Sequence, residues 1–426
     1  MRSFPFPAIR DRCRPRASGY DCPAVAARIG RIILDTVLAG GWAGFLLLAS
    51  CAQSPQQEWS GAVEVREGVP HLINPDTPLW GFDHQPLLQQ DILGGPDGPQ
   101  EAYMSEPVAV AFAPDGTCCV LDARDCRVLR FAADGTFLGS FGRSGGGPGE
   151  FQSPAAIVCL PDGRLVISDP GANRLSFFTT EGDYLDSVAP EVAPGMLVAT
   201  RSGDLYQHSQ GRSLGVSIQL GAGMVEAPSL IDVLAPDGTR RRGIGTMTEY
   251  DGIMLGQWMN RVLPALLPGD SLAVNYFGLD HIAVFSPDGT LARVVHRSLP
   301  FEPIEPIEDT VTTENADGTL SVAMRFEFDM LSTGFAVSPD GEYWAALVAL
   351  TTVDRNRPEH PPGEEEEEEI EQEWGVDLFD SAGRWLARQN FGHHFPMAYL
   401  DWGPGGLYLI NPQEDALVYR FAVVTP

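Results

Sequence analysis

The sequence predicts an all-β fold, a six-bladed β-propeller whose last blade is completed by an N-terminal strand. Three observations carry this. First, residues 107–116 and 154–163 are near copies of each other, and both continue alike: a short apolar run ends in Asp122 or Asp169, and after four residues Arg127 or Arg174 opens another run, which stops at Gly135 or Gly182. Four short apolar runs split by Asp/Gly turns describe a four-stranded antiparallel sheet, and such a unit repeating every ~40–50 residues is a propeller blade. Second, the turns of the inner hairpins can be counted along the chain, at Gly116, Gly163, Gly203, Gly269, Gly341 and Gly405, with outer-hairpin turns at Gly135, Gly182, Gly238, Gly289 and Gly383. The missing sixth outer turn marks where the chain breaks. Third, the tails are complementary. Residues 87–93 form an outer strand with no inner strands before it, and residues 397–423 supply three strands and no fourth. Pairing the first with the last of these removes the open edge of the ring.

Taken in order, residues 1–50 stand apart from the rest. Seven arginines precede an apolar stretch at 36–49 that ends in Leu48, Ala49, Ser50 and Cys51. A basic start, a short apolar run and a small-residue exit make a secretory signal, and the run is too short to cross a bilayer of about 30 Å as a helix. The exit looks like a lipobox, which implies that Cys51 becomes the lipidated first residue. Residues 51–57 read as a polar tether, and 58–73 as a strand or hairpin leading into the propeller at 58–426. The expected location is that of an exported bacterial lipoprotein in the cell envelope, on the periplasmic side of the outer membrane or on the outer surface.

The remaining pieces are connectors and insertions. Residues 141–154 form a Gly-rich crossover from one blade to the next, with Phe151 as an apolar plug. No Gly-Lys-Ser/Thr follows it, so phosphate binding is disfavoured. Residues 301–331 open too Pro-rich for a strand and then carry a helix or hairpin. Residues 353–373 hold three prolines and a run of six glutamates at 364–369, which self-repulsion should keep disordered.

The Asp/Arg pairs together with the connector at 141–154 resemble the NHL-repeat family of six-bladed propellers, in particular those of bacterial lipoproteins. The resemblance is specific over residues 105–190. It implies a binding or scaffolding role; some related propellers are lyases or lactonases that hold zinc or calcium at the channel mouth.

Composition narrows the partners. The net charge is −29 and the pI about 4.5, and every one of the 28 basic residues is arginine. Nucleic acid is excluded by the lack of clustered cations, and chemistry that needs a lysine ammonium is excluded outright. An acidic surface repels anionic headgroups, so membrane contact is expected through the lipid alone, and the protein is expected to be a monomer. Cys118, Cys119, Cys126 and Cys159 are expected to pack in the core.

Candidate site residues follow from placing the loops between second and third strands, and those between blades, on one face. Asp122, Asp169, Asn275 and Asp280 fall on that rim as candidate binding groups, and Trp258, in a long inter-blade loop, is the tryptophan expected to touch a ligand. His208, His393 and His394 are the candidate metal ligands, since neutral imidazole suits zinc. Two functions follow: a module binding a protein, peptide or glycan across the rim, and alternatively a metal-dependent lyase or lactonase-type hydrolase at the channel mouth, with zinc or calcium as its ion. The more local reading of Asp122/Arg127 and Asp169/Arg174 is structural, tying neighbouring strands together.

Overall fold

The computed structural model describes residues 58–426 apart from 96–97, 209–227, 251, 315–319, 352–371, 396–397 and 414–415. The signal at 1–50, Cys51 with the tether, and nearly all of the acidic insertion at 353–373 lie outside the described residues.

The chain begins with a hairpin, β1 (Ala62–Arg66) and β2 (Val69–Ile73), followed by β3 (Leu87–Leu93). Blade I is then β4 (Pro107–Phe112), β5 (Cys118–Asp122), β6 (Arg127–Phe131) and β7 (Phe137–Phe141). Blade II is β8 (Ala156–Cys159), β9 (Leu165–Asp169), β10 (Arg174–Phe178) and β11 (Tyr184–Val188). Blade III comprises β12 (Met196–Ala199), β13 (Leu205–His208), β14 (Ser229–Leu234) and β15 (Arg240–Thr246). A two-turn helix, α1 (Ile253–Met259), leads to blade IV, made of β16 (Val262–Leu266), β17 (Leu272–Tyr276), β18 (His281–Phe285) and β19 (Leu291–His296). The insertion after blade IV contains a hairpin, β20 (Ile307–Glu314) and β21 (Leu320–Glu327). Blade V is β22 (Ser332–Val337), β23 (Tyr343–Ala349), β24 (Trp374–Asp380) and β25 (Trp385–Gly392); blade VI opens with β26 (Tyr399–Gly403), β27 (Gly406–Ile410) and β28 (Val418–Val423). All eleven turns expected from the sequence fall between the strands they were expected to join.

The sixth blade is shut from both ends. β28 pairs antiparallel with β3, Val418 opposite Leu93 and Val423 opposite Leu87, in a sheet ordered β26-β27-β28-β3. Leu87, Leu93, Val418 and Phe421 are buried by this pairing. The hydrophobic effect operates between blades as much as within them. Six clusters of buried apolar side chains stand one at each junction of neighbouring blades, from the Leu121/Ile157 cluster of blades I and II to the Val120/Tyr408 cluster of blades VI and I. Trp344 and Trp374, both wholly buried, sit at the IV/V and V/VI junctions.

The connector at 141–154 owes its path to one glycine in particular. Gly142 has φ 87°, and a Cβ there would lie 2.4 Å from the ring of Phe151, so only glycine lets the wholly buried plug close against the chain. Gly142, Ser144 and Gly146 match the spacing of a nucleophile elbow, but Ser144 lies in a bridge to Phe151 between two strands and no helix follows.

The leading hairpin does more than introduce the propeller. β2 adds in parallel to β19, extending blade IV to six strands with β1 at the edge. Asn74 anchors this addition: its amide donates to the carbonyls of His296 and Gly383, and its Oδ1 accepts from the Trp385 backbone N–H at 2.8 Å. The four cysteines are free, and Cys118, Cys119 and Cys126 are buried; burial pushes the Cys119 thiol up to about 12, which makes it inert packing rather than a nucleophile.

Candidate functional site

The edges of the six inner strands enclose a central channel of about 1020 Å³. Its wall is mostly apolar side chains of the inner strands, so its charged and larger polar groups stand out: Glu106, Arg201, Arg261, Asp270, Thr333, Tyr399 and Asp401, beside the small Ser153 and Ser338. Glu106 precedes its inner strand and Asp270 lies in the turn that follows one, so these two acids mark opposite ends of the channel.

Arg261 joins α1 to β16, at the mouth. Its backbone is fixed by the Phe277 N–H, which donates to its carbonyl at 3.0 Å, and by Asn260, whose side chain bonds both backbone groups of Thr248 and the carbonyl of Gly256. The guanidinium lies over the rings of Phe277 (4.8 Å) and Trp258 (5.5 Å), which in turn pack against each other. Burial holds its pKa below the ordinary arginine value, yet it stays cationic at neutral pH. Among the described residues no carboxylate pairs with it, and its buried Nε has no acceptor. A cation desolvated against aromatic faces and left without a counter-ion has the chemistry to pair with an anionic group. Nearby, Asn275 gives its amide N–H to Ser332 Oγ at 2.7 Å while its Oδ1 is buried without a donor, and so is Oγ1 of Thr333.

Asp401 lies in the channel wall two residues along from Tyr399. Enclosure by the surrounding blades raises its carboxyl to about 7, although the Trp402 N–H at 2.7 Å favours the ionised form. A carboxyl with its folded pKa above the unfolded value of roughly 3.9 holds its proton more tightly when folded. Its contribution to stability is therefore full below about pH 4 and lost as pH rises through 7. Asp401→Asn should accordingly melt close to the parent at pH 4 and several degrees higher at pH 8; equal melting temperatures at pH 8 would refute this.

The rim residues expected from the sequence divide into two groups. Asp122 and Asp169 are wholly buried and accept backbone N–H groups of the preceding connector, Ser105 and Glu106 for the first, Gln152 and Ser153 for the second, all near 3.0 Å. Their arginines hold the same connectors by the carbonyls: Arg127 binds those of Glu101 and Tyr103, and Arg174 those of Gly146, Gly147 and Glu150. The repeated Asp and Arg thus clamp each crossover from both polarities. Neither the Asp122 nor the Asp169 carboxylate, expected from the sequence as a binding group, is open to a ligand; both hold backbone instead. Asn275 is likewise fully buried. Trp258 lies on α1, with its ring beneath the Arg261 guanidinium.

The candidate metal ligands do not gather. His208 ends β13 with its Nδ1 against the Leu230 carbonyl at 3.0 Å, and burial lowers its pKa, so it is neutral at pH 7. His393 and His394 follow β25 in blade V. Among the described residues, the one group of three donors within reach of a common ion is Asp280, His281 and His296, whose ligand atoms lie within 4.8 Å of one another. Strand pairing assembles it: His281 and His296 are directly opposed on β18 and β19, and Asp280 precedes β18 with its carbonyl accepting from Arg297 N–H at 2.8 Å. The two imidazoles, His281 first, hold the Asp280 carboxyl well below the usual range. Sequence reasoning places Asp280 and His281 on the rim, with His281 in the structural Arg position of its blade, but misses His296, which carries no local signal.

These features define a six-bladed β-propeller with a cationic, aromatic-backed channel mouth. Solved structures with the same fold include a Bacteroides fragilis protein named for inferred export (TM-score 0.50, 9% identity, 80% of this chain and 96% of that one covered). Others are a member of the DUF4221 family from Bacteroides vulgatus (0.49, 11%, 80% and 98%) and a gluconolactonase from Xanthomonas campestris (0.45, 16%, 82% and 97%). These likenesses are of fold. No family model matches the chain, and no curated protein matches it. No described helix is long and apolar enough to cross a membrane.

Proposed function

We propose that the chain is an exported, lipid-anchored propeller of the NHL-repeat kind that binds a carboxylate-bearing peptide or glycan at the channel mouth. The observation that carries this is Arg261, charged, stacked on Trp258 and Phe277 and without a carboxylate partner among the described residues. Guanidinium binds carboxylate in a planar, two-point geometry, and the partly exposed Trp258 ring, backed by the buried Phe277, gives apolar or sugar-ring surface for the rest of the ligand. The apolar channel wall strengthens the charge pairing by excluding water. Anchoring through Cys51 keeps an acidic protein at a membrane that its own surface would repel; Cys51→Ser should move it from the membrane to the soluble fraction, and retention at the membrane would refute the anchor.

The alternative, a metal-dependent lyase or lactonase-type hydrolase, needs several donors converging inside the channel. Among the described residues the channel carboxylates Glu106, Asp270 and Asp401 occupy different depths, and the one three-donor group lies outside the channel wall. The binding reading is favoured. The experiment is an array of acidic peptides and uronate-containing oligosaccharides, probed with the parent and with Arg261→Gln. Binding confined to carboxylate-bearing members, and weakened tenfold or more in the variant, is expected. Binding indifferent to Arg261 would overturn the assignment, and turnover of an array member by the parent would favour the enzyme.

A further inference from the structure

We infer that Asp280, His281 and His296 are the ligands of a binding site for a borderline divalent cation of the Zn²⁺ class, set on the outer part of blade IV where the leading hairpin docks. The site is separate from the Arg261 mouth and does not depend on it.

Donor spacing is the first argument. His281 Nδ1 stands 3.4 Å from Asp280 Oδ1, and His296 Nδ1 stands 3.9 Å from Asp280 Oδ2. Both separations are long for a hydrogen bond, which favours 2.7–3.2 Å. They approach the roughly 3.3 Å between two ligands that each stand about 2.0–2.1 Å from a tetrahedral ion. All three ligand atoms lie within 4.8 Å of one another, so both rings must turn inward to close the set on one ion. The donor chemistry, two imidazoles and one carboxylate, selects zinc-like ions over calcium or magnesium, which take oxygen ligands.

The second argument is the support behind the ligands. His71 of β2 lies two residues out of register from His296 on the adjoining parallel strand, which places both on one face, and its Nδ1 is 2.9 Å from His296 Nε2 with the rings stacked. When His296 Nε2–H donates to His71, the lone pair of His296 Nδ1 is left facing Asp280. That is the tautomer a metal ligand needs, fixed by a hydrogen bond from the other ring nitrogen. Asp280 is about half exposed, with 47% of its side chain open, so an ion can enter from solvent and its fourth position falls to water. Because His71 belongs to the leading hairpin and the ligands to blade IV, an ion bound here would also fasten the one to the other.

The test uses the full-length protein, stripped with chelator and titrated with Zn²⁺ by calorimetry, with Co²⁺ absorption reporting coordination geometry. One ion per chain is expected, with a tetrahedral Co²⁺ band and a raised melting temperature. Asp280→Asn and His296→Gln should each weaken Zn²⁺ at least tenfold, and His71→Ala, a positioning change, by about 10- to 100-fold. Arg261→Gln should bind the ion as the parent does, which separates this site from the proposed ligand mouth. Absence of saturable Zn²⁺ binding, or stoichiometric binding retained in Asp280→Asn/His296→Gln, would overturn the inference. If a histidine variant misfolds, the nearly isosteric Asp280→Asn, checked by its metal-free melting, decides.

Discussion

Removal of residues 417–426 should abolish cooperative folding. The deletion strips β3 of its partner and exposes Leu87 and Leu93 while discarding Val418 and Phe421. Each such side chain contributes about 1.5–3 kcal/mol when fully buried, so four together rival a net stability of about 5–15 kcal/mol. The loss also bares an edge strand and the apolar faces of blades V and I beside it. We expect the truncated chain to show no cooperative melt and to aggregate. A synthetic peptide of residues 416–426 added in trans should restore a melting transition by strand addition. A truncated protein that melts like the parent would show that the ring does not need this strand.

The second large effect is expected at Arg388. Asp377 and Arg388 face each other on β24 and β25, joined by two bonds of 2.6 and 2.8 Å, and both are nearly inaccessible to water. The Trp385 indole N–H also donates to Asp377 at 3.2 Å, while the Arg388 guanidinium rests 4.6 Å above the Trp385 ring and reaches the Ser298 carbonyl. Arg388→Met keeps much of the volume but leaves a buried carboxylate without its cation, a change that costs about 3–5 kcal/mol. The midpoint of urea unfolding should fall accordingly with an unaltered slope. Asp377→Asn added to Arg388→Met should recover a large part of the loss, since it removes the orphaned charge. A single variant within 1 kcal/mol of the parent, an amount on the order of a surface change, would contradict this account.

How much of this could be read in advance depended on whether a feature was local in the chain. Turn glycines such as Gly116 and Gly163 announce themselves, because a positive φ is a property of one residue and the alternation around it has a period of two. Blade number and ring closure followed from those turns and from the two incomplete tails. Roles that depend on what lies across a sheet were not legible. Asp122 and Arg127 read as a simple ion pair, yet each mainly holds the backbone of a crossover some twenty residues upstream. Arg261 lacks a motif, and its significance lies in an absent counter-ion, which spacing cannot reveal. The His71/His296 contact spans 225 positions and arises because a leading hairpin adds in parallel to a distant blade. Nothing near either histidine signals that event.

The closure between β3 and β28 bears on the order in which such a chain can fold. Asp91 and Arg420, which form an ion pair across that seam, are 329 positions apart, so the last pairing cannot occur until almost the whole polypeptide is available. A chain made amino-terminus first holds one waiting strand until its mate emerges. Locking is thereby the last event, and the disc turns rigid only when synthesis is nearly complete.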